Sequence, residues 1–323
     1  MQTFNIIRNR LKYGTRELSP AYDPRSFWIY LIVTVQCSTG ALLLWWLDYS
    51  LDSSVWRRLP IVAIPLAISG MLARRYGHPR FGGAVEVVAL TYLQGVATIF
   101  LLFPLTEMSL PFADPAFALI DHAMGFHWPD LALIFANNKP AYKISEFVYY
   151  SMEWQALLIV PLLFLLGHEL RAWRFVTSGA IAALVVVIVY PFMPAQGPAV
   201  YFGLNPEDLP NYGFFPWEFG PKLAMIQEGS IKKITLEWIF AMVSLPSYHA
   251  VSAVIFTWSM WPNRWLRWPF AILNTGVAIT SIYIGIHYLV DIIVGFAVGV
   301  GAIVLAKQLV KQRNGPMPAS HGF

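Results

Sequence analysis

Two short polar strings in the C-terminal third of the chain lie at the edges of long apolar runs. The first is Pro246-Ser247-Tyr248-His249-Ala250, and the second is Gly285-Ile286-His287-Tyr288-Leu289-Val290-Asp291. Ionisable side chains at membrane depth cost roughly 2.5–3.5 kcal/mol each on insertion scales, so they usually mark a functional site. Two histidines and one aspartate at two helix ends therefore predict a reaction centre.

The first string is predicted to begin a helix. Pro246 suits the first helical position, because its missing N–H costs nothing there, and residues 244–245 would form the cap. The free N–H groups at such a helix start attract phosphate, and here they belong to Ser247, Tyr248 and His249. Ser247 adds a hydroxyl donor, and His249 is placed to donate a proton to a leaving oxygen.

The second string pairs a histidine with a carboxylate. His287 and Asp291 are four residues apart, which on a helix places them on one face with Cβ atoms about 5–6 Å apart. A carboxylate bound to one imidazole nitrogen fixes the tautomer and raises the basicity of the other nitrogen. The spacing thus predicts a nucleophilic His287. Gly285 is expected to let the chain turn and to admit a ligand close to the backbone.

Composition indicates an integral membrane protein. The chain is 57% hydrophobic and 12% charged with a mean hydropathy of +0.55, whereas soluble domains carry about 25% charged residues. The net charge of +4 is modest and indicates membrane topology rather than nucleic-acid binding. The single cysteine, Cys37, excludes an intrachain disulfide and is expected to be a small buried hydrophobe.

The apolar runs predict an all-α polytopic bundle of about eight transmembrane helices, since about 20 apolar residues span a bilayer. One domain, 1–323, would comprise a basic arm at 1–25, a catalytic core at 146–308 and a disordered tail at 314–323. The predicted spans are 26–47, 59–73, 84–105, 146–167, 173–193, 247–261, 267–286 and 288–308.

Basic residues predict the orientation, because Lys and Arg in short loops favour the cytoplasm. They fall in alternate connections, which places both termini inside and both polar strings outside, with a bacterial inner membrane as the expected location. The outer connections would be 48–58, 106–145 and 194–246. We expect a short interfacial helix within 106–145, and we interpret Asp121, His122 and His127 as interfacial loop positions.

The paired motifs resemble the type-2 phosphatidic acid phosphatase superfamily. Its members carry a Pro-Ser-x-His motif followed by a Gly-x-His-Tyr-x-x-Asp motif, as this chain does over about its last 80 residues. The resemblance implies that His287 attacks phosphorus and forms a phosphohistidine. It also implies that His249 is the acid and base, and that Asp291 orients the nucleophile.

Two phosphate-binding arginines of that superfamily are missing. The chain contains no Arg-Pro dipeptide, and Ser281 stands where an Arg usually precedes the second histidine by six residues. The His-Tyr-hydrophobic-Val-Asp pattern and the proline-rich stretch 190–198 are most similar to the inositol phosphorylceramide synthase-like branch. Members of that branch transfer a phosphorylated alcohol headgroup between lipids.

Other groups must then offset the phosphate charge. Lys222, Lys232 and Lys233 are candidates on the predicted outer face. The full predicted substrate-binding set is Ser247, Tyr248, Gln196, Tyr201, Lys222, Ser281, Tyr283 and Gly285. The expected partners are a lipid phosphate donor, an alcohol or water acceptor and membrane lipids, with no nucleic acid. Histidine chemistry and helix N–H donors require no metal or other cofactor.

Three alternatives stay open. Attack by water would make the protein a lipid phosphatase, and attack by a lipid or sugar hydroxyl would make it a phosphotransferase, which the missing arginines and the proline-rich stretch favour slightly. Two His and one Asp can also hold zinc. A phospholipid carrier without catalysis is the alternative from another class.

Gly295 and Gly299 form a small-xxx-small pair that predicts close helix packing in the last span.

Overall fold

The computed structural model describes residues 24–135, 138–209, 211, 215–238 and 243–311. Most of the predicted basic arm and the whole predicted tail 314–323 lie outside these residues. Each of the eight predicted apolar segments coincides with a helix. The described residues form twelve α-helices: α1 Phe27–Trp46, α2 Ser53–Arg75, α3 Pro79–Glu107, α4 Asp114–Ala123, α5 Trp128–Phe135, α6 Lys139–Leu165, α7 Glu169–Val189, α8 Pro198–Tyr201, α9 Phe215–Gln227, α10 Tyr248–Met260, α11 Arg267–Tyr283 and α12 Leu289–Leu309.

Five helical segments within the described residues are long and apolar enough to cross a membrane. They are Pro24–Trp46, Pro79–Glu107, Lys139–Leu165, Glu169–Phe192 and Leu289–Leu309. This confirms the all-α membrane bundle. The count of eight spans stays a prediction, since α10 and α11 have only 13 and 17 residues and α2 is not among the five.

Local sequence signals set several of the helix starts. The Asp52 side chain accepts a hydrogen bond from Ser54 N at 2.8 Å and caps α2. Asn138 caps α6 in the same way, through a 3.1 Å bond from Ala141 N. A proline in the first turn of α3, α4 and α6 adds a preset φ where no N–H is needed.

Helix α10 packs against α6, α7, α11 and α12, and two glycines of α12 face it. A Cβ added at Gly295 would lie 2.6 Å from the carbonyl oxygen of Ser247. At Gly299 it would lie 3.0 Å from the Cβ of Val254. The two glycines therefore make the close packing that their spacing predicts, and they bring the starts of α10 and α12 together.

A short parallel strand pair joins two of the predicted outer connections. Strand β1, Ser50–Leu51, pairs with strand β2, Lys233–Ile234. Next to this pair, Lys232 Nζ donates to both carboxylate oxygens of Glu107 at 2.6 and 2.7 Å. The sequence gives no sign of this pairing, because each strand is only two residues long.

The connection after α3 differs from its prediction. It contains two helices, α4 and α5, rather than one, and α6 begins already at Lys139. The expectation that Cys37 is buried was wrong, because it lies on the exposed side of α1. The buried positions of that helix fall at Ile29, Ile32, Val33, Gln36 and Gly40, a face that excludes Cys37.

Candidate active site

The two motif histidines are in contact. His249 Nδ1 lies 3.4 Å from His287 Nε2, and the two ring centroids are 5.5 Å apart. Both residues are buried, with 6% and 1% of their surface exposed. His249 is the second residue of α10, and His287 lies in the short segment between α11 and α12. Two imidazoles that are 38 residues apart in the sequence thus share one site.

Ser247 completes the group around the Nε2 atom of His287. Its Oγ lies 3.3 Å from that nitrogen and also accepts a 3.4 Å bond from Ala250 N. Ser247 is therefore the N-cap of α10, and the prediction that Pro246 occupies the first helical position was wrong. The hydroxyl of a serine satisfies a free N–H of the first turn, and this capping preference sets the helix start.

The other ring nitrogen of His287 faces acceptors. Its Nδ1 lies 3.1 Å from the carbonyl oxygen of Ser244 and 3.4 Å from Asp291 Oδ2. A carbonyl oxygen only accepts hydrogen bonds, so in the neutral ring Nδ1 carries the proton and Nε2 keeps its lone pair. Ser244 was not predicted in this role. A motif search has no signal for it, because the contact uses the backbone carbonyl.

Asp291 lies in the first turn of α12, and His287 precedes that helix by two residues. The prediction that the two share one helix face was therefore wrong, although their side chains do approach each other. Asp291 Oδ2 accepts hydrogen bonds from Tyr288 N at 2.9 Å and from Ser244 Oγ at 2.5 Å. Asp291 thus holds Tyr288 and Ser244, two residues next to the imidazole that it was expected to orient.

Tyr149 of α6 is a further residue at the site. Its ring stacks on that of His249, with centroids 4.1 Å apart and an interplanar angle of 23°. Tyr149 is buried, and no sequence motif includes it. The stack holds the His249 ring from the side of α6.

Helix α4 contributes two buried carboxylates. Asp121 accepts hydrogen bonds from Leu289 N at 2.7 Å and Val290 N at 3.0 Å. Asp114 accepts from Gln196 N, Gly197 N and the Tyr288 hydroxyl, each at 2.9 Å. Both are 3% exposed, so the interpretation of Asp121 as an interfacial loop position was wrong. Burial raises the pKa of both carboxyls, and the N–H bonds that they accept oppose that shift.

The sequence does contain a weak signal for these carboxylates. Asp114, Phe117 and Asp121 recur at the spacing of one helix face, and they are the three buried residues of α4. Acids at both ends of an apolar helix face predict that the face is buried and that each carboxylate accepts hydrogen bonds from the protein. By contrast, His122 and His127 of the same connection are exposed, and of these two only His127 lies in a loop, since His122 is part of α4.

Gly285 adopts a positive φ of 91° and makes the predicted turn. The space next to it is occupied by protein, since an added Cβ would lie 2.7 Å from Trp128 Cζ2 and 2.8 Å from the Cβ of Ala199. The expectation that Gly285 admits a ligand was therefore wrong. Trp128 Nε1 also donates to Ile282 O at 2.9 Å, and Ala199 N donates to Gly285 O at 3.1 Å. These contacts support the turn that leads into His287.

Three other predicted substrate-binding residues direct their polar groups elsewhere. Tyr248 donates its hydroxyl to Gly179 O of α7 at 3.3 Å. Ser281 donates to Val277 O within α11 at 2.6 Å. Gln196 donates its side-chain amide to Gly220 O at 3.1 Å, while its backbone N–H binds Asp114. These contacts do not place the three side chains at the Nε2 atom of His287.

The contacts observed for the remaining candidates are with groups other than the two histidines. Lys222 Nζ is 3.4 Å from Glu218 Oε2, and Lys233 Nζ is 2.9 Å from Asp52 Oδ2. Tyr201 is 41% exposed. Tyr283 is buried, with its ring centroid 6.2 Å from that of Tyr142. Among the described residues, no hydrogen bond or ion pair joins a lysine or arginine to either histidine.

The start of α10 offers donors that are not engaged. Ser247 N donates to Asp291 O at 3.1 Å, and Ala250 N donates to Ser247 Oγ. The backbone N–H groups of Tyr248 and His249 make no hydrogen bond within the described part of the chain. They are two first-turn donors of a 13-residue helix, next to the unprotonated nitrogen of His287, and such donors bind phosphate oxygens. No group of three or more His, Cys, Asp or Glu in the described residues is placed to hold a metal ion.

A comparison with models of protein families finds a match for this chain. The model of the PAP2 superfamily matches residues 115–305, which is more than half of the 323 residues. The match begins in α4 and ends in α12, so it includes Asp121, Ser244, His249, His287 and Asp291. No curated protein and no solved structure matches the chain. PAP2 superfamily membership supports a lipid enzyme of the phosphatase or phosphotransferase type. The chain belongs to the PAP2 superfamily.

Proposed function

We propose that this protein is a membrane phosphotransferase that removes a phosphoryl or phospho-headgroup from a lipid through a phosphohistidine on His287. The observation that carries the proposal is the environment of the His287 ring. One nitrogen is tied to the Ser244 carbonyl at 3.1 Å, and the other faces Ser247 Oγ and His249 Nδ1 at 3.3 and 3.4 Å. This arrangement supports a nucleophile with an adjacent acid and base.

The first step forms a bond between His287 Nε2 and phosphorus. The P–O bond to the leaving lipid alcohol breaks, and His249 gives its proton to the departing oxygen. An attacking atom lies about 3–3.5 Å from its target in near-attack geometry. In the structure, His249 Nδ1 lies 3.4 Å from His287 Nε2, at the distance that the phosphorus must reach. The phosphorus must therefore replace His249 Nδ1 next to the lone pair of Nε2. Substrate binding therefore breaks the hydrogen bond between the two histidines.

The second step reverses the roles. The hydroxyl of the acceptor loses its proton to the now neutral His249, its oxygen attacks phosphorus, and the P–N bond to His287 breaks. The N–H groups of Tyr248 and His249, to which no described residue binds, and the hydroxyl of Ser247 stabilise the phosphate oxygens in both steps. No metal is needed for this sequence of bonds, so a chelator is expected to leave the activity unchanged.

An alcohol acceptor is favoured over water. The missing arginines and the proline-rich stretch 190–198 are similar to the inositol phosphorylceramide synthase-like branch, which transfers headgroups between lipids. The burial of both histidines also supports transfer, because exclusion of water prevents hydrolysis of the phosphohistidine. We propose that the site faces the outside of a bacterial inner membrane, with both termini in the cytoplasm. A lipid phosphatase of the same superfamily is the second candidate.

The test uses purified protein in lipid nanodiscs and a lipid with a radiolabelled phosphorus. Wild type is expected to form an acid-labile phosphoprotein, and His287→Ala is expected to lose it. His249→Ala should slow its formation by about 10²–10⁴-fold, the usual range for a general acid. His78→Ala is the matched control, since His78 is exposed at the start of α3.

The labelled products distinguish a transferase from a phosphatase and from a lipid carrier. Addition of ceramide, diacylglycerol or a glycan should yield a new labelled phospholipid if the protein is a transferase. Release of free phosphate or free headgroup phosphate in the presence of these acceptors identifies a phosphatase. Unchanged activity in both histidine variants would refute the proposal and leave a lipid carrier.

A further inference from the structure

The start of α12 is closed to phosphate by carboxylates. Tyr288 N donates to Asp291 Oδ2 at 2.9 Å, and Leu289 N and Val290 N donate to the two oxygens of Asp121 at 2.7 and 3.0 Å. These are the N–H groups that a helix start offers to an anion. Because protein carboxylates already occupy them, a substrate phosphate has no place at the helix that follows His287.

The start of α10 is open by comparison. The N–H groups of Tyr248 and His249 have no partner in the described residues, and the Ser247 hydroxyl is 3.3 Å from His287 Nε2. The starts of α10 and α12 therefore both lie near His287, and only the start of α10 has N–H groups available for the phosphate. The occupied start also brings negative charge to the site.

Three buried carboxylates surround the segment that carries His287: Asp291, Asp121 and Asp114. Asp291 lies 3.4 Å from the His287 ring, and Asp121 binds the N–H groups two and three residues further on. Asp114 binds the hydroxyl of Tyr288, the residue next to His287. Lysines of the described connections are paired with other acids: Lys222 with Glu218, Lys232 with Glu107 and Lys233 with Asp52.

This charge distribution discriminates between phosphate groups of different charge. A phosphomonoester carries two negative charges above its second pKa of about 6, whereas a phosphodiester carries one. The Asp121 carboxylate binds the N–H groups two and three residues after His287, so its separation from the nucleophile is on the order of 10 Å. At an effective dielectric of about 20, one extra charge at that distance weakens binding by roughly 10- to 30-fold.

We propose, on the basis of the phosphotransferase function above, that Asp121 is a specificity-determining residue that closes the start of α12 to phosphate and selects a phosphodiester lipid over a phosphomonoester lipid. With a diester, the P–O bond to the lipid alcohol breaks, the P–N bond to His287 forms, and His249 protonates the leaving oxygen. The adduct keeps the headgroup ester and one negative charge. A monoester would instead leave a dianionic phosphohistidine beside the three carboxylates.

The test compares two diacyl lipids that differ by one methyl group and one charge. Phosphatidic acid and phosphatidylmethanol of the same acyl composition are presented at about pH 8, and the release of diacylglycerol is measured as kcat/KM for each. Wild type is expected to prefer phosphatidylmethanol at least tenfold. In Asp121→Asn, one oxygen still accepts an N–H of the α12 start but the charge is gone, so the ratio should shift toward phosphatidic acid by about tenfold.

The control is Asp130→Asn, because Asp130 is an exposed acid on the neighbouring helix α5 whose side chain is 76% exposed. Its ratio should equal that of wild type. A wild-type preference for phosphatidic acid, or an unchanged ratio in a folded Asp121→Asn, would overturn the proposal but leave the phosphohistidine chemistry intact. If neither lipid releases diacylglycerol and no phosphoprotein forms, the proposed function fails as well. If Asp121→Asn does not fold, a wild-type preference for phosphatidic acid would still overturn the proposal.

Discussion

Substitution of Gly295 by alanine tests how the two halves of the site are held together. Gly295 of α12 faces the start of α10, and an added methyl carbon would lie 2.6 Å from Ser247 O and 2.8 Å from the Cβ of Ala250. Ordinary contacts of a Cβ begin at 3.4 Å. The two helix starts must therefore separate by about 0.8 Å, the difference between 3.4 and 2.6 Å, to admit the methyl group.

The magnitude follows from where the displaced atoms lie. Ser247 O belongs to the residue that caps α10, two positions before His249. Misplacement of reacting groups by about 1 Å can cost about 10²-fold in rate. Overpacking of this kind costs about 1–3 kcal/mol in stability. We therefore expect Gly295→Ala to lower kcat by about 10²-fold while the protein remains folded and its thermal midpoint falls moderately.

The assay measures turnover of a labelled phospholipid in nanodiscs together with thermal unfolding of the same samples. Gly299→Ala should have a smaller effect, because its Cβ would lie 3.0 Å from a side-chain carbon and 3.1 Å from Val251 O. Gly301→Ala is the matched control on the same helix, since nothing lies within 4 Å of its added Cβ. Wild-type kcat in a folded Gly295→Ala variant would refute the reasoning that this contact sets the geometry of the site.

Two further predictions concern residues that support the imidazoles. Tyr149→Leu removes the ring stacked 4.1 Å from that of His249, and we expect a loss of about tenfold in kcat, since such a stack contributes about 0.5–1.5 kcal/mol. Tyr149→Phe keeps the stack and should retain the activity, so equal losses in both variants would contradict a role for the stack. Ser244→Ala removes the 2.5 Å bond to Asp291 but keeps the carbonyl that binds His287. A hydrogen bond to a charged group contributes about 1.5–3 kcal/mol, so kcat should fall about 10- to 100-fold with little change in KM, and a wild-type kcat would exclude that bond from the site.

The sequence predicts the helices and the histidine pair well because both depend on local patterns. Apolar runs between breaks identify a helix in each of the eight segments. The histidines approach each other because His249 lies at the start of α10 and His287 just before α12, and small residues at Gly295 and Gly299 allow those helices to meet. Each of these signals is local, although the contact that results joins residues 38 positions apart.

Predictions failed where two local rules competed. Both a proline and a serine are favoured near a helix start, and the structure shows that the Ser247 hydroxyl caps α10 while Pro246 stays outside. The spacing of His287 and Asp291 suggested one helix face, yet α12 begins only at Leu289. The side chains approach each other because Asp291 reaches back to the N–H of Tyr288, in the manner of a capping box.

Long-range contacts could not be predicted. Asp121 binds an N–H that is 168 residues away, and the Asp114 carboxylate meets a hydroxyl 174 residues away. Lys232 binds Glu107 at the end of α3, 125 residues away in the sequence. The lysines of the connection 194–246 were predicted to bind phosphate from their charge alone. The packing of the connections shows which acids neutralise them.

The backbone explains how the proposed phosphate site could be built around buried acids without an arginine in contact with the histidines in the described part of the chain. Asp114 and Asp121 are held by five hydrogen bonds, four of them from backbone N–H groups. Such bonds stabilise a carboxylate without a cation, and three of them hold the residues that directly follow His287. An arginine at this place would pair with these acids before it met a substrate. The N–H groups of Tyr248 and His249 donate no bond to these acids, which is why the proposed function assigns the phosphate to the start of α10.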